Sequence, residues 1–317
     1  MYYVGVDLGG TNIAAGVVTE SGELLHQDSC PTGVGRPYEQ IIGDMGALVN
    51  KVIRDSGCTV KDVKAVGIGS PGAADCKAGE IVFANNLSWN HVPICAELKK
   101  HVDLPVFVDN DANVAALAET VAGCAKGRSD VILLTLGTGV GGGIVLNGRI
   151  LGGVHHVGAE IGHMIVEVQG EQCSCGNRGC FERYTSATAL IREGRKCIIA
   201  HPDSRITLKT GGDLDKVTAK IVLDSAKEGD IFALEIFERF IHYLAMGIVS
   251  LINLFDPEVI AIGGGVAKAG DFLMEALLPE VKKHIFYKDL PYADIMLSPM
   301  GNEAGIIGAA MMGAGNL

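Results

Sequence analysis

The sequence predicts an α/β fold of two domains built from a duplicated unit, and three observations carry that reading. The 317 residues suffice for two domains of ordinary size. A strand, a glycine turn and a second strand occur twice, around Asp7-Leu8-Gly9-Gly10-Thr11 and around Thr135-Leu136-Gly137-Thr138-Gly139. The two copies stand about 130 residues apart, far beyond the periods of solenoid repeats, so they mark duplicated units rather than stacked ones.

Each element follows from its pattern. Tyr2 to Val6 reads as a short apolar strand, Ile13 to Val18 as its return and Glu23 to Gln27 as a third strand. Ile41 to Ile53 has helical spacing, and Val63 to Ile68 is a buried strand leading into Ser70-Pro71-Gly72. Val106 to Val108 is a strand that ends at Asp109-Asn110-Asp111, before a helix from about Ala112 to Ala122. In the second copy, Val131 to Thr135 and Gly143 to Leu146 are strands, and Asn147-Gly148 closes a hairpin. The stretch from Gly153 to Cys180 is irregular and rich in His, Cys and Gly. Beyond Ser186 helices dominate, with a long one from Phe232 to Asn253 and another from Asp271 to His284. Between those two, the strand Val259 to Ile262 runs into Gly263-Gly264-Gly265, and a small apolar helix spans Ala304 to Met312.

Composition excludes several classes. Hydrophobic residues make up 48% and charged residues 20%, a soluble globular profile. The net charge is -11 and no Lys or Arg run exceeds a pair, which argues against nucleic acid as a partner. Tyr243 to Phe255 is too short to span a bilayer, and the residues after Met1 lack a signal-peptide pattern, so no membrane role and a cytoplasmic location are expected. Nine cysteines is an odd number and six are widely scattered, which suits a reducing compartment better than a disulfide scaffold.

Phosphate groups need converging backbone N–H donors with no side chains in the way, which glycine-rich strand turns supply. Such turns also occur for steric reasons alone, and neither copy has the P-loop form or the dinucleotide fingerprint. Asp7, at a strand end before the first turn, suits Mg²⁺ held through waters. Two readings stand for Asp111: a helix N-terminal cap, or a functional carboxylate at the strand edge where α/β sheets bind ligands. His163, Cys173, Cys175 and Cys180 form a soft, closed set of four, the form of a structural zinc site with no open position. Glu160 and Glu182 flank that set, so two carboxylates and an imidazole on one rigid knot suit sugar hydroxyls. His155 and His156 read as loop residues, and Trp89 and His91 as packing ones.

These residues together resemble the ROK group (repressor, open reading frame, kinase), and within it the bacterial glucokinases, over nearly the whole chain. The carriers are Asp7-Leu8-Gly9-Gly10-Thr11-Asn12, the stretch from Leu136 through Gly153 to Gly162-His163, the segment Cys173 to Glu182, and Gly263-Gly264-Gly265. The middle two are the specific ones; the outer two are shared with the wider actin and hexokinase superfamily. The resemblance implies a duplicated ribonuclease H-like, actin/hexokinase-type two-domain fold with an inter-domain cleft and a structural zinc loop at 163–180. The implied domains are 1–111 plus about 300–317, and about 112–299.

The implied activity is ATP-dependent phosphorylation of a hexose, glucose first, to glucose 6-phosphate. The resemblance makes Asp111 the general base, and Gly72, Asn86, Asn110, Glu160, His163 and Glu182 the sugar-binding residues. Asp7 assists Mg²⁺; Gly9, Gly10, Thr11, Gly137, Thr138 and Gly139 contact phosphates; Gly264 and Gly265 flank the adenosine. His163, Cys173, Cys175 and Cys180 hold Zn²⁺. A homodimer or homotetramer is implied as well. Many relatives carry a Lys near the positions of Asn12 to Ala15, where this chain has none. The alternatives are a kinase for N-acetylmannosamine, N-acetylglucosamine, fructose or allose, a sugar-sensing repressor without its DNA-binding domain, and an actin-like or chaperone ATPase.

Overall fold

The computed structural model describes residues 1–301 and 303–316. Asn302 and Leu317, which fall in the terminal segment assigned to the first domain, lie outside the described residues. The chain opens with β1 (Tyr2–Leu8), β2 (Asn12–Thr19), β3 (Leu24–Pro31), α1 (Tyr38–Asp55) and β4 (Val63–Ser70). A small excursion follows: β5 (Ala73–Asp75), β6 (Glu80–Ala84), β7 (Trp89–Val92) and α2 (Ile94–Leu98). Next come β8 (Val106–Asn110), α3 (Asp111–Val121), β9 (Val131–Leu136), β10 (Val140–Leu146) and β11 (Arg149–Ile150). Helices then dominate: α4 (Glu182–Thr185), α5 (Ala187–Ala200), α6 (Arg205–Thr210), α7 (Ala219–Lys227) and α8 (Ile231–Phe255). The chain closes with β12 (Val259–Gly263), α9 (Asp271–His284), β13 (Asp294–Leu297) and α10 (Glu303–Gly315).

The duplication expected from the glycine turns is present in the sheets. One has the order β3-β2-β1-β4-β8 and the other β11-β10-β9-β12-β13. In each, three successive strands form a meander and two later strands join beyond its first member. The third sheet, β5-β6-β7, carries no periodic signal strong enough to have been expected. At the hairpin joining β10 to β11, Asn147 and Gly148 have φ of 52° and 72°, as a two-residue turn between twisted strands requires.

The chain forms two compact units: Met1–Leu133 with Gly143–Ala159 and Ser298–Leu317, and Leu134–Gly142 with Glu160–Leu297. This division differs from the expected boundary after Asp111. The reason is α3, which packs along α10 in the first unit instead of opening the second. The break falls within β9 and β10.

Alternation along β1 sets the layers of the first unit. Val4, Val6 and Leu8 share a core with Ile41, Ile42, Met45, Val49 and Val52 of α1. Tyr3 joins Ile306, Ile307, Ala310 and Met311 of α10 in a core on the other face. Strand residues two apart share a face, so Gly5 and Asp7 point the same way as Tyr3, toward α10. A Cβ on Gly5 would overlap the carbonyl oxygen of Ile306, and one on Gly67 that of Ala309. These two glycines let the helix backbone lie directly on β1 and β4.

The second unit is mainly helical, and its helix starts follow capping chemistry. The side chains of Ser186, Ser204, Thr218 and Asp230 accept backbone N–H groups in the first turns of α5, α6, α7 and α8. No helix among the described residues is long and apolar enough to cross a membrane. Gly5→Ala must push α10 off the sheet, and we expect it to lower stability by about 3 kcal/mol. Urea unfolding checks this; a loss below about 1 kcal/mol would mean that α10 does not seat against the strand.

Candidate functional site

The expected site residues fall into two constellations, one in each unit. In the first, β1 runs parallel to β4 and β4 to β8, with Asp7 opposite Gly69 and Gly69 opposite Asp109. With strands about 4.8 Å apart, Asp7 and Asp109 stand about 10 Å from each other along one carboxyl edge. That edge is where open α/β sheets bind ligands. Asp111 follows at once as the first residue of α3.

The helix cap is Asn110, not Asp111. The Asn110 Oδ1 accepts N–H groups from Ala112 at 2.9 Å and Asn113 at 3.3 Å, while its Nδ2 donates to the Gly72 carbonyl at 3.0 Å. Asp111 Oδ1 accepts from the Ala112 N–H at 2.8 Å. Asn110 and Gly72, expected at the same sugar, are thus joined directly. Asn86 lies in a short 3-10 turn, and its Cβ is 3.6 Å from where a Cβ on Gly10 would be.

Asp7 sits on the face covered by α10, where a Cβ on Gly305 would come within 2.8 Å of its carboxylate oxygen. Burial, reinforced by the Asp111 charge, raises the Asp7 pKa from 3.8 to about 6. An open cavity beside it is lined also by Asn12, Ala14, Gln27, Asp28, Ser29, Gly301 and Glu303.

The first glycine turn is held by a residue without a sequence signal. Thr32 is fully buried; its hydroxyl donates to the Gly9 carbonyl at 2.7 Å and its N–H to the Thr11 carbonyl at 2.8 Å. A lone Thr after a strand offers no pattern that could have revealed this staple.

In the second unit, Ala187 N–H donates to the Gly137 carbonyl at 2.8 Å and Thr188 Oγ1 to the Thr138 carbonyl at 2.6 Å. The turn therefore rests on the start of α5. A Cβ on Gly139 would lie 2.7 Å from Glu182 Oε2, so the turn and this carboxylate adjoin. Gly264, after β12, has φ of 86° and Gly72, after β4, has φ of 89°. These are equivalent strand ends of the duplicated sheets, and both need left-handed backbone that favours glycine.

Glu160 immediately precedes the 3-10 turn Ile161–His163, and its carbonyl accepts the His163 N–H at 3.0 Å. His163, Cys173, Cys175 and Cys180 place one ligand atom each within 4.8 Å of all the others. Cys173 Sγ is 3.8 Å from His163 Nδ1, and Cys175 Sγ is 3.6 Å from Cys180 Sγ. A tetrahedron with Zn–S bonds of about 2.3 Å has edges of about 3.5–3.8 Å, so the set fits such an ion. Burial raises the Cys173 thiol and, with the neighbouring thiols, pushes Cys180 up to about 12. Cys175 is shifted the other way, lowered first by the Asn177 N–H. Without a cation the two buried thiols therefore keep their protons, and a bound ion would displace them. Cys173 Sγ also lies 3.2 Å from Glu182 Oε1, which ties Glu182 to the knot.

Trp89 is buried against Tyr38, as expected of a packing residue. His91 differs: it is exposed and pairs with Glu80 at 3.1 Å.

Paired sheets of this order, with glycine turns at their strand ends, define the two-domain α/β class of actin and hexokinase-like proteins. Within that class the chain belongs to the ROK family, which it matches over residues 3–315. It is 39% identical to a glucokinase of Thermotoga maritima over 311 residues, 97% of this chain and 95% of the relative. A ROK family glucokinase from Streptomyces griseus, solved in complex with glucose and AMPPNP, superposes with a TM-score of 0.80 at 35% identity, covering 99% of this chain and 100% of that one. A ROK hexokinase from Thermus thermophilus gives 0.85 at 33% identity, covering 100% and 99%.

The raised Asp7 pKa has a consequence for stability. The folded protein binds this proton more tightly than the unfolded chain does. The group therefore costs nothing well below pH 4, and stability falls as pH rises through about 6, by about 3 kcal/mol. Asp7→Asn removes that cost. We expect the variant to be more stable than wild type by about 2–3 kcal/mol at pH 7.5, with the gap closing towards pH 4.5. Urea unfolding at both values checks this, and a gap independent of pH would contradict it.

Proposed function

We infer that this chain is a hexose kinase that moves the γ-phosphoryl group of ATP to glucose, with Asp111 as the base. The single observation behind that role is the placement of Asp111 at the carboxyl edge of the parallel strands. Asn110 there fixes the helix start, and Asp7 lies close enough for the two charges to interact. Phosphoryl transfer asks for positioning and electrostatics more than covalent chemistry, and these residues supply both.

Asp111 takes the proton of the attacking sugar hydroxyl as its oxygen bonds to the γ-phosphorus, and the bond to ADP breaks. Asn110 spends its oxygen on α3 and one N–H on Gly72, which leaves one N–H for a sugar hydroxyl. Glu160, His163 and Glu182 bind further hydroxyls, and Gly72 and Asn86 line the sugar's place. Gly9, Gly10 and Thr11, with Gly137, Thr138 and Gly139, offer backbone to phosphates, and Gly264 and Gly265 flank the adenosine. The half-buried Asp7 carboxylate would hold Mg²⁺ arriving with the nucleotide, and that ion would offset phosphate charge.

Zn²⁺ held by His163, Cys173, Cys175 and Cys180 supplies rigidity, with no open position for chemistry. Its use is to hold Glu182 and Glu160 in place. A cytoplasmic location accords with nine cysteines that are all free. The resemblance alone supports a homodimer or homotetramer, which light scattering checks.

Asp111→Asn is expected to lower kcat by about 10²–10⁴-fold, with glucose affinity by calorimetry nearly unchanged. Turnover within tenfold of wild type would remove Asp111 as the base. Purified protein is expected to carry roughly one zinc per chain by atomic emission, lost together with glucose binding in Cys175→Ser. Full activity without zinc would overturn the scaffold role.

A further inference from the structure

A second cluster of metal-type ligands, made of residues not discussed so far, lies on α8 and α9. These two long helices pack against each other. His242 comes from α8, and Glu280 and His284 from the last turn of α9 at positions i and i+4, which share a helix face. His242 Nδ1 is 3.2 Å from Glu280 Oε1, and His284 Nε2 is 3.4 Å from the same oxygen. One ligand atom from each residue lies within 4.8 Å of the others. The other carboxylate oxygen, Oε2, pairs with Lys283 Nζ at 2.7 Å, a cation that competes with any bound ion for Glu280.

The spacings have chemical content. Ligands about 2.1 Å from a shared ion stand about 3.0–3.4 Å apart in octahedral or tetrahedral geometry, which matches both observed separations. Two imidazoles and one carboxylate suit Zn²⁺, Co²⁺ or Ni²⁺ rather than Mg²⁺ or Ca²⁺, whose sites are built from oxygen. Both imidazoles are accessible, at 51% and 40% side-chain exposure, so an ion can enter without rearrangement of the core. Three protein ligands leave a position open to water, unlike the closed set of four on the cysteine loop.

We propose that His242, Glu280 and His284 form a second, surface site for a borderline transition-metal dication that clips α8 to α9. The bound ion links two helices otherwise joined by side-chain packing and the His242–Glu280 contact, so it stabilises the second unit reversibly, increasingly with free metal. The site contains none of the sugar, phosphate or base residues, so its ion takes no part in the transfer step. The expected role is metal-responsive stability.

The two metal sites are distinguishable by their ligands. Co²⁺ bound by thiolates shows intense sulfur-to-metal charge-transfer absorption, whereas Co²⁺ on nitrogen and oxygen shows only weak visible bands. The test uses the whole chain as purified, with the cysteine-loop metal retained, dialysed and then titrated with Co²⁺. Wild type is expected to take one equivalent with visible bands and no thiolate charge transfer, and its melting temperature is expected to rise. His242→Gln/His284→Gln should lose that equivalent and the thermal shift, with an unchanged circular dichroism spectrum. Lys283→Gln removes a competing cation and should tighten Co²⁺ binding several-fold, an effect that a damaged fold would not produce. The proposal falls if wild type takes up no Co²⁺ without thiolate absorption. It also falls if the double variant binds as wild type does, or if Lys283→Gln leaves the affinity unchanged or weaker.

Discussion

Two carboxylates at one edge of one sheet, Asp7 and Asp111, are the constraint around which the first unit is arranged. β1 brings Asp7 there because its even-numbered residues pack on α1, which turns Tyr3, Gly5 and Asp7 towards α10. The glycines of β1 and β4 let α10 approach, and its backbone at Gly305 then shields the Asp7 carboxylate from water. Asp111 arrives at the start of α3, just past β8 and two strands from β1, and adds its charge to the burial. Such an edge is costly when empty and suited to a cation when filled. Packing that would otherwise look purely structural is thus the origin of the site's electrostatics.

In the second unit the corresponding work is done by loops and helix starts. The turn at Gly137–Gly139 is fastened to α5, and Glu182 lies between that turn and the cysteine knot. A carboxylate at the first position of a single-turn helix would ordinarily sample several positions. Here it lies beside Cys173 on one side and is abutted on the other by Gly139, where a side chain would collide with it.

Much of this was legible in the sequence because it rests on local signals. The two glycine turns, the Asn147-Gly148 hairpin, α9 and the spacing of His163, Cys173, Cys175 and Cys180 each need only a few neighbouring residues to be read. The elements that escaped depend on distant partners. β5, β6 and β7 are short and gain their identity from one another. α3 belongs with α10 because of a packing surface separated from it by most of the chain. Of the two readings open for Asp111, the cap falls to Asn110 instead, because neighbouring Asx residues are equivalent by type and only the backbone decides between them. Thr32 and the His242–Glu280–His284 cluster join residues that no motif connects.

The kinase reading is tested most directly by following ADP release from the purified protein with ATP and Mg²⁺ and one sugar at a time. Glucose, mannose, fructose, N-acetylmannosamine and N-acetylglucosamine form the panel. Release should be fastest with glucose and near zero without sugar. Release that is independent of sugar, or none at all from folded, zinc-loaded protein, would contradict the assignment of hexose phosphorylation to this chain.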